Sequence, residues 1–187
     1  MKSVTRLQHA VKKRQYNNAS LETSGPTVCA RRTRILSLIS NGGHINEMKI
    51  TVKNDCVGVN WQTVSETLKS AGMAYHEPEK HRKAFEASHT KVFLYNADKL
   101  VGFGRALSDG AYQAAVYDCT VAVEYQGKGL GRMLMENILS RLQDCNVILY
   151  ASPGKEGFYE KLDFRKMKTG MAKFIKSESM QQRGFTE

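Results

Sequence analysis

Proline is scarce in this chain, with 3 residues in 187, and tryptophan occurs once. Few prolines leave long stretches free to build helices and hydrogen-bonded ladders. The 4 cysteines, Cys29, Cys56, Cys119 and Cys145, stand far apart. There is no Cys-x-x-Cys and no Cys/His cluster with zinc spacing, which argues against a disulfide framework and a structural metal site alike. Reduced, mostly buried thiols are expected, and no metal. Long apolar runs are missing too. None approaches the ~18–20 residues of a membrane helix, and ILSLIS (35–40) is too short even for a signal-peptide core. No membrane partner is expected. Acid is nearly absent from the front of the chain, where eight Lys/Arg of residues 1–47 face only Glu22 and Glu47. The net charge of +10 is therefore concentrated there, and the rest is mildly basic. A nucleic-acid interface inferred from total charge would rest on that leader alone, so none is assigned to the folded part.

Two readings of residues 1–47 stay open. One is an organelle transit peptide, which is Arg-rich and acid-poor in this way. The other is an unstructured leader before a domain that starts at Met48. In both, 1–47 lies outside the core and is disordered. The location expected is cytoplasmic, unless 1–47 targets an organelle.

From Met48 the elements can be read off one by one. MKITVKN (48–54) alternates like a strand. NWQTVSETLKSAGM (60–73) has helical spacing and stops at Gly72. EPEKHRKAFEAS (77–88) has a first-turn proline and early acids. KVFLYNADKLVGFGRALS (91–108) reads as two strands around Asn96-Ala97-Asp98. QAAVYDCTVAV (113–123) is a long strand. GLGRMLMENILSRLQDC (129–145) is an apolar-striped helix. NVILYAS (146–152) is a buried strand, EGFYEKLDF (156–164) a short helix and GMAKFIK (170–176) a last strand. Residues 48–176 thus form one domain of α/β (α+β mixed) class, and 177–187 a loose tail.

The chemistry begins at EYQGKGLGRMLM (124–135). A helix start carries unpaired N–H groups and a positive dipole end. Glycines let an anion reach those groups closely. A phosphate or pyrophosphate cradle fits this pattern, as does a softened strand-to-helix turn that binds nothing. A Walker loop is excluded, since Lys128 precedes Gly129 and no hydroxyl follows. The Gly-x-Gly-x-x-Gly fingerprint also fails, because its sixth position falls on Arg132 or Leu134.

The stretch Gln126-x-x-Gly129-x-Gly131 resembles the signature of the GNAT superfamily of N-acetyltransferases, in its bacterial and plastid branch. GFYEKLDF (157–164) resembles that family's Phe-Tyr-x-x-x-Gly-Phe element, with Asp163 where glycine is usual, so a different turn is expected there. The resemblance spans roughly 48–175. It implies a mixed, mostly antiparallel sheet with splayed strands, flanked by helices, and acetyl-CoA as acyl donor. It implies that the backbone of Val121, Ala122 and Val123 pairs with the pantetheine arm. Gln126, Gly127, Lys128, Gly129, Gly131 and Arg132 would surround the pyrophosphate. Tyr159 would protonate the departing thiolate. Asp118, the one carboxylate on the long strand before the motif, is the candidate base, and Tyr117 is the runner-up. Strand alternation puts Asp118 on the face opposite Tyr117 and Cys119, which would instead favour a structural role.

The expected function is direct acetyl transfer to a primary amine, with a small molecule favoured over a protein lysine as acceptor. A non-catalytic acyl-CoA-binding or regulatory module and a protein-lysine acetyltransferase are the alternatives. A homodimer is left open. Acceptor contacts are sought in Tyr75, Phe85, Arg105, Ser108 and Asp109. His76 and His81 lack the i, i+4 spacing of a helical metal pair.

Overall fold

The computed structural model describes residues 32–39 and 45–187. Strands β1 (Arg32–Ile39) and β2 (Ile45–Lys53) pair antiparallel, with Arg32 opposite Val52 and Ile39 opposite Ile45. Helices α1 (Trp61–Ser70) and α2 (Pro78–Glu86) follow. Asn60 starts α1, its Oδ1 accepting the Thr63 N–H at 3.1 Å, as short polar side chains do at helix starts. Then come β3 (Thr90–Asn96), β4 (Lys99–Ser108) and β5 (Gln113–Val121). A 3-10 turn over Val123–Tyr125 leads into α3 (Leu130–Leu139). The chain ends with β6 (Asn146–Ile148), α4 (Glu156–Glu160) and α5 (Ser177–Gln182). Sheet order follows chain order from β1 to β6, with every pair antiparallel except β5–β6, which is parallel. This is the mixed, mostly antiparallel sheet flanked by helices that the family resemblance implies.

Alternation along the strands supplies two cores. One face joins Ile50, Val52, Val92, Leu94, Val101 and Val116 to Leu130, Leu134 and Ile138 of α3. The other joins Phe93, Leu100 and Phe103 to Val64, Leu68 and Phe85 of α1 and α2. Phe85, Phe93 and Phe103 are fully buried, each worth about 1.5–3 kcal/mol of transfer free energy.

Two irregularities shape the middle of the sheet. Asp118 sits at φ 53°, and the β4–β5 register shifts between Phe103 and Arg105. This is a bulge, one extra residue that resets the side-chain alternation. Tyr117 and Asp118 both reach Arg105, whereas Cys119 turns back to the α3 core. The expected parity is therefore corrected: Asp118 shares its face with Tyr117, and Cys119 lies opposite. The second irregularity is the parting of β5 and β6. Gln113, Ala114 and Ala115 pair with Asn146, Val147 and Ile148, and the pairing ends there.

Several expected boundaries move. Arg32–Ile39 lies in the segment expected to be disordered, yet it is an edge strand, and it satisfies hydrogen-bonding groups that β2 would otherwise leave open. The sheet therefore begins before Met48. Residues 1–31 and 40–44 lie outside the described residues. The strand expected over 146–152 keeps only Asn146–Ile148, because β5 diverges from it. The strand expected over 170–176 does not form. Met171 is 98 % and Ile175 104 % exposed, with Phe174 held against Tyr150 instead. The tail expected to be loose contains α5.

Gly104 faces the bulge. A Cβ there would lie 2.6 Å from Cys119 Sγ and 3.0 Å from Ile138 Cδ1. We expect Gly104→Ala to destabilise the fold by about 1–3 kcal/mol, the range for overpacking a core. The check is the urea-unfolding midpoint, and an unchanged midpoint would refute the close approach.

Candidate active site

The glycine turn is built as the sequence suggests. Gly127 (φ 73°) and Gly129 (φ 81°) take left-handed backbone, which glycine adopts at no steric cost. A Cβ at either would meet nothing within 4 Å, so the loop faces open space. Gly129 begins α3, and no side chain caps that end. The first N–H groups of the helix have no intrahelical acceptor. Lys128 Nζ bonds the Glu124 carbonyl at 2.8 Å. Arg132 bonds the Lys161 carbonyl at 3.2 Å and lies 3.9 Å from Glu136. Both cations stay beside the helix start. A bare, positively polarised turn flanked by two cations fits a diphosphate.

Gly131 works differently. A Cβ there would lie 3.3 Å from Cε2 and Cζ of Phe158. Its missing side chain seats the α4 aromatic on the first turn of α3, so the two sequence motifs meet at this contact.

Beside the turn, β5 offers its free edge. Ala122 donates its N–H to Val101 O at 2.9 Å, into the sheet. Strand groups alternate in direction, so Val121 faces the gap, where its carbonyl accepts Gln126 Nε2 at 2.9 Å. Val123 already belongs to the 3-10 turn and is 54 % exposed.

Tyr159 projects from α4 into the α3-side core, with Phe158 and Phe164 ring centroids at 5.0 and 6.0 Å. Burial, with a smaller contribution from Cys119, pushes its phenol up to about 12. Burial, then Asp118, pushes the Cys119 thiol up to about 12 as well. Both groups are neutral near pH 7. Asp163 sits at φ 67°, the conformation that makes glycine usual at that place. Asp tolerates it better than most residues, and Leu162 and Phe164 both donate to Tyr159 O, at 2.9 and 3.2 Å. The turn thus closes despite Asp163, contrary to the expected departure.

On the opposite face, Arg105 Nε meets Asp118 Oδ2 at 2.5 Å, and Nη1 donates to Ser88 Oγ at 3.3 Å. The guanidinium lies 5.3 Å from the Tyr117 ring and 5.8 Å from Phe85. Asp118, at 24 % side-chain exposure, therefore has one oxygen committed to Arg105. Behind it, the buried His81 accepts the His76 N–H on Nε2 at 2.9 Å. Among the described residues, no group of His, Cys, Asp and Glu is placed to hold a metal.

The other acceptor candidates separate. Phe85 is core. Ser108 and Asp109 serve their own turn, Asp109 Oδ1 accepting the N–H groups of Ala111, Tyr112 and Gln113. Tyr75 lies on the surface under Lys69. Sequence reasoning missed Tyr150, which stands just past β6 with its ring 6.1 Å from Tyr117. Its signal was an aromatic at the end of an otherwise apolar strand.

His81 also sets a pH dependence. Burial lowers its pKa below the ordinary 6.5, opposed by Asp118. The unfolded chain then binds the proton more readily, so stability falls as pH drops through 6.5. We expect a melting temperature that declines from pH 7 to 5 and a shallower decline in His81→Gln. Equal slopes would show that His81 contributes none of it.

The residues 60–182 match the family model described as an acetyltransferase (GNAT) domain. Serotonin N-acetyltransferase 2, chloroplastic, from Oryza sativa subsp. japonica is 34 % identical over 121 residues, covering 60 % of this chain and 60 % of that protein. The uncharacterized N-acetyltransferase ycf52 of Porphyra purpurea is 27 % identical over 132 residues, 67 % of this chain and 76 % of that one. The match thus spans 60 % of the rice protein's length, short of two thirds. Among solved structures, a probable acetyltransferase from meticillin-resistant Staphylococcus aureus superposes with a TM-score of 0.62 at 26 % identity, over 68 % of this chain and 98 % of that one. With the family model covering most of the chain, and with the glycine turn, the parted strands and the α4 tyrosine in place, the chain belongs to the GNAT acetyltransferase family.

Proposed function

We propose that this protein transfers an acetyl group from acetyl-CoA to the primary amine of a small molecule. The observation that carries the proposal is the gap between β5 and β6, with the glycine turn at one end and Tyr159 beside Cys119 within reach. The N–H groups at Gly127, Lys128, Gly129, Gly131 and Arg132 hold the diphosphate, aided by both side-chain cations. Gln126 fixes the turn by its bond to Val121 O. Val121 and Val123 take the pantetheine amides as an added strand would. Ala122 has its N–H committed elsewhere and only shapes the edge.

The amine nitrogen attacks the thioester carbonyl, the C–S bond breaks, and the electron pair leaves on sulfur. Tyr159 donates its O–H toward that sulfur. A thiolate whose acid has a pKa of about 8.5 is a weaker base than this phenolate, so the tyrosine stabilises the departing sulfur by hydrogen bond, and the second proton that the nitrogen sheds as the amide forms balances the one that settles on sulfur. Cys119, a neutral thiol, offers no nucleophile for a covalent acetyl-enzyme. Asp118 receives the proton that the ammonium must lose before attack. The rice relative's name supports a small amine as acceptor and suggests an organelle. The basic, acid-poor residues 1–47, the end of which forms β1 and the start of β2, would carry such an address.

Tyr159→Phe should lower kcat ~10²-fold with CoA affinity retained, read as free-thiol release and by titration calorimetry. Undiminished turnover would remove the tyrosine from the chemistry. Asp118→Asn should lower kcat/KM strongly at pH 7, with the deficit shrinking toward pH 10, where the amine arrives neutral. A deficit equal at every pH would leave Asp118 only the task of holding the bulge.

A further inference from the structure

The carboxyl-terminal segment crosses the acceptor face of the sheet. Phe174 and Phe185 each set a ring edge-on to Tyr150, at 5.7 and 5.8 Å, as Tyr117 does at 6.1 Å. Arg183 donates Nη2 to the Gly72 carbonyl, at the end of α1, at 3.2 Å. Its guanidinium also lies 5.2 Å from the Phe185 ring. Gly184 faces Pro153, where a Cβ would come 3.6 Å from Pro153 Cγ. Burial raises the Tyr150 phenol, with Tyr117 and Asp118 adding to the rise and Arg105 and Arg183 opposing it. One segment therefore ties the α1 end, on one bank, to the chain just past β6, on the other. The span it crosses is the side where Tyr117, Asp118 and Arg105 face outward. Tyr150 is still 53 % exposed, so the ring is a surface rather than a filled core.

We infer that Phe185, seated on Tyr150 and latched through Arg183 to Gly72, forms the outer wall of the acceptor mouth and limits the acceptor to a compact amine with a flat apolar body. This rests on the acetyl-transfer reading for what is called the acceptor. A phenyl ring can lie against Tyr150 and Phe185, where aromatic pairs favour edge and offset contacts. A lysine within a polypeptide must bring backbone on both sides, and the bridge from Gly72 to Tyr150 stands in its way.

The test uses the full chain, with 2-phenylethylamine and a capped Gly-Lys-Gly peptide as acceptors. The parent should prefer the amine in kcat/KM. Phe185→Ala should raise its KM about tenfold, within the range for losing one apolar pocket contact, and narrow its preference over the peptide by at least as much. Arg183→Ala should narrow the preference by opening the latch, and Phe185→Leu should fall between Ala and parent. The KM for acetyl-CoA should hold in all three. Unchanged preference in both alanine variants overturns the wall, as does an equal change for the two acceptors. Calorimetric titration of 2-phenylethylamine into the CoA-saturated protein separates the two ideas. Binding that Phe185→Ala weakens, with no acetylation of either acceptor, would sink the transfer reading and keep the wall. Binding that the variant leaves intact sinks the wall whatever the turnover.

Discussion

The bulge at Asp118, clamped by Arg105, is the constraint on which the site depends. One extra residue in β5 turns Tyr117 and Asp118 to the same face and returns Cys119 to the other. Past the first three paired residues, β5 also parts from β6. A regular strand would keep both neighbours paired and leave no gap for an extended ligand. The ion pair is partly buried, with side chains 16 % and 24 % exposed. Loss of either partner would strand a charge at the gap. Gly104 completes the arrangement by giving Cys119 room across the bulge.

The two recognisable motifs are coupled through packing rather than chemistry. Gly131 belongs to the turn read as an anion cradle, yet its bare Cα is what Phe158 rests against. Phe158 precedes Tyr159 in α4. The position of the phenol therefore depends on the same helix start that carries the glycine turn. Two segments separated by more than twenty residues of chain thus form one rigid corner, with Leu162 and Phe164 returning their N–H groups to Tyr159 O.

Local chemistry made much of this legible. Asn60 before α1, Pro78 in α2 and the glycines at 127 and 129 carry their conformational meaning in their own side chains, or in lacking them. The helices and the central strands follow from apolar spacing. What the sequence hid was relational. A bulge is defined by the partner strand, so Asp118 could be flagged as odd but not turned to its true face. The length of β6 depends on where β5 leaves it, which NVILYAS does not record. GMAKFIK alternates like a strand but found no edge to join. Arg32–Ile39 looked like leader because its charge resembles the residues before it, while its pairing to β2 is a property of the sheet. Tyr150 and Phe185 lie far apart in the chain, and only folding brings them together.

Cys119, packed against the α3 core beside the gap, stays a neutral thiol. A residue in that condition cannot hold an acyl group between two half-reactions. The direct transfer proposed above would accordingly bring donor and acceptor onto the protein together. The same protonated sulfur reacts slowly with peroxide and electrophiles, which attack thiolates, so oxidants have little purchase on the cysteine beside the gap.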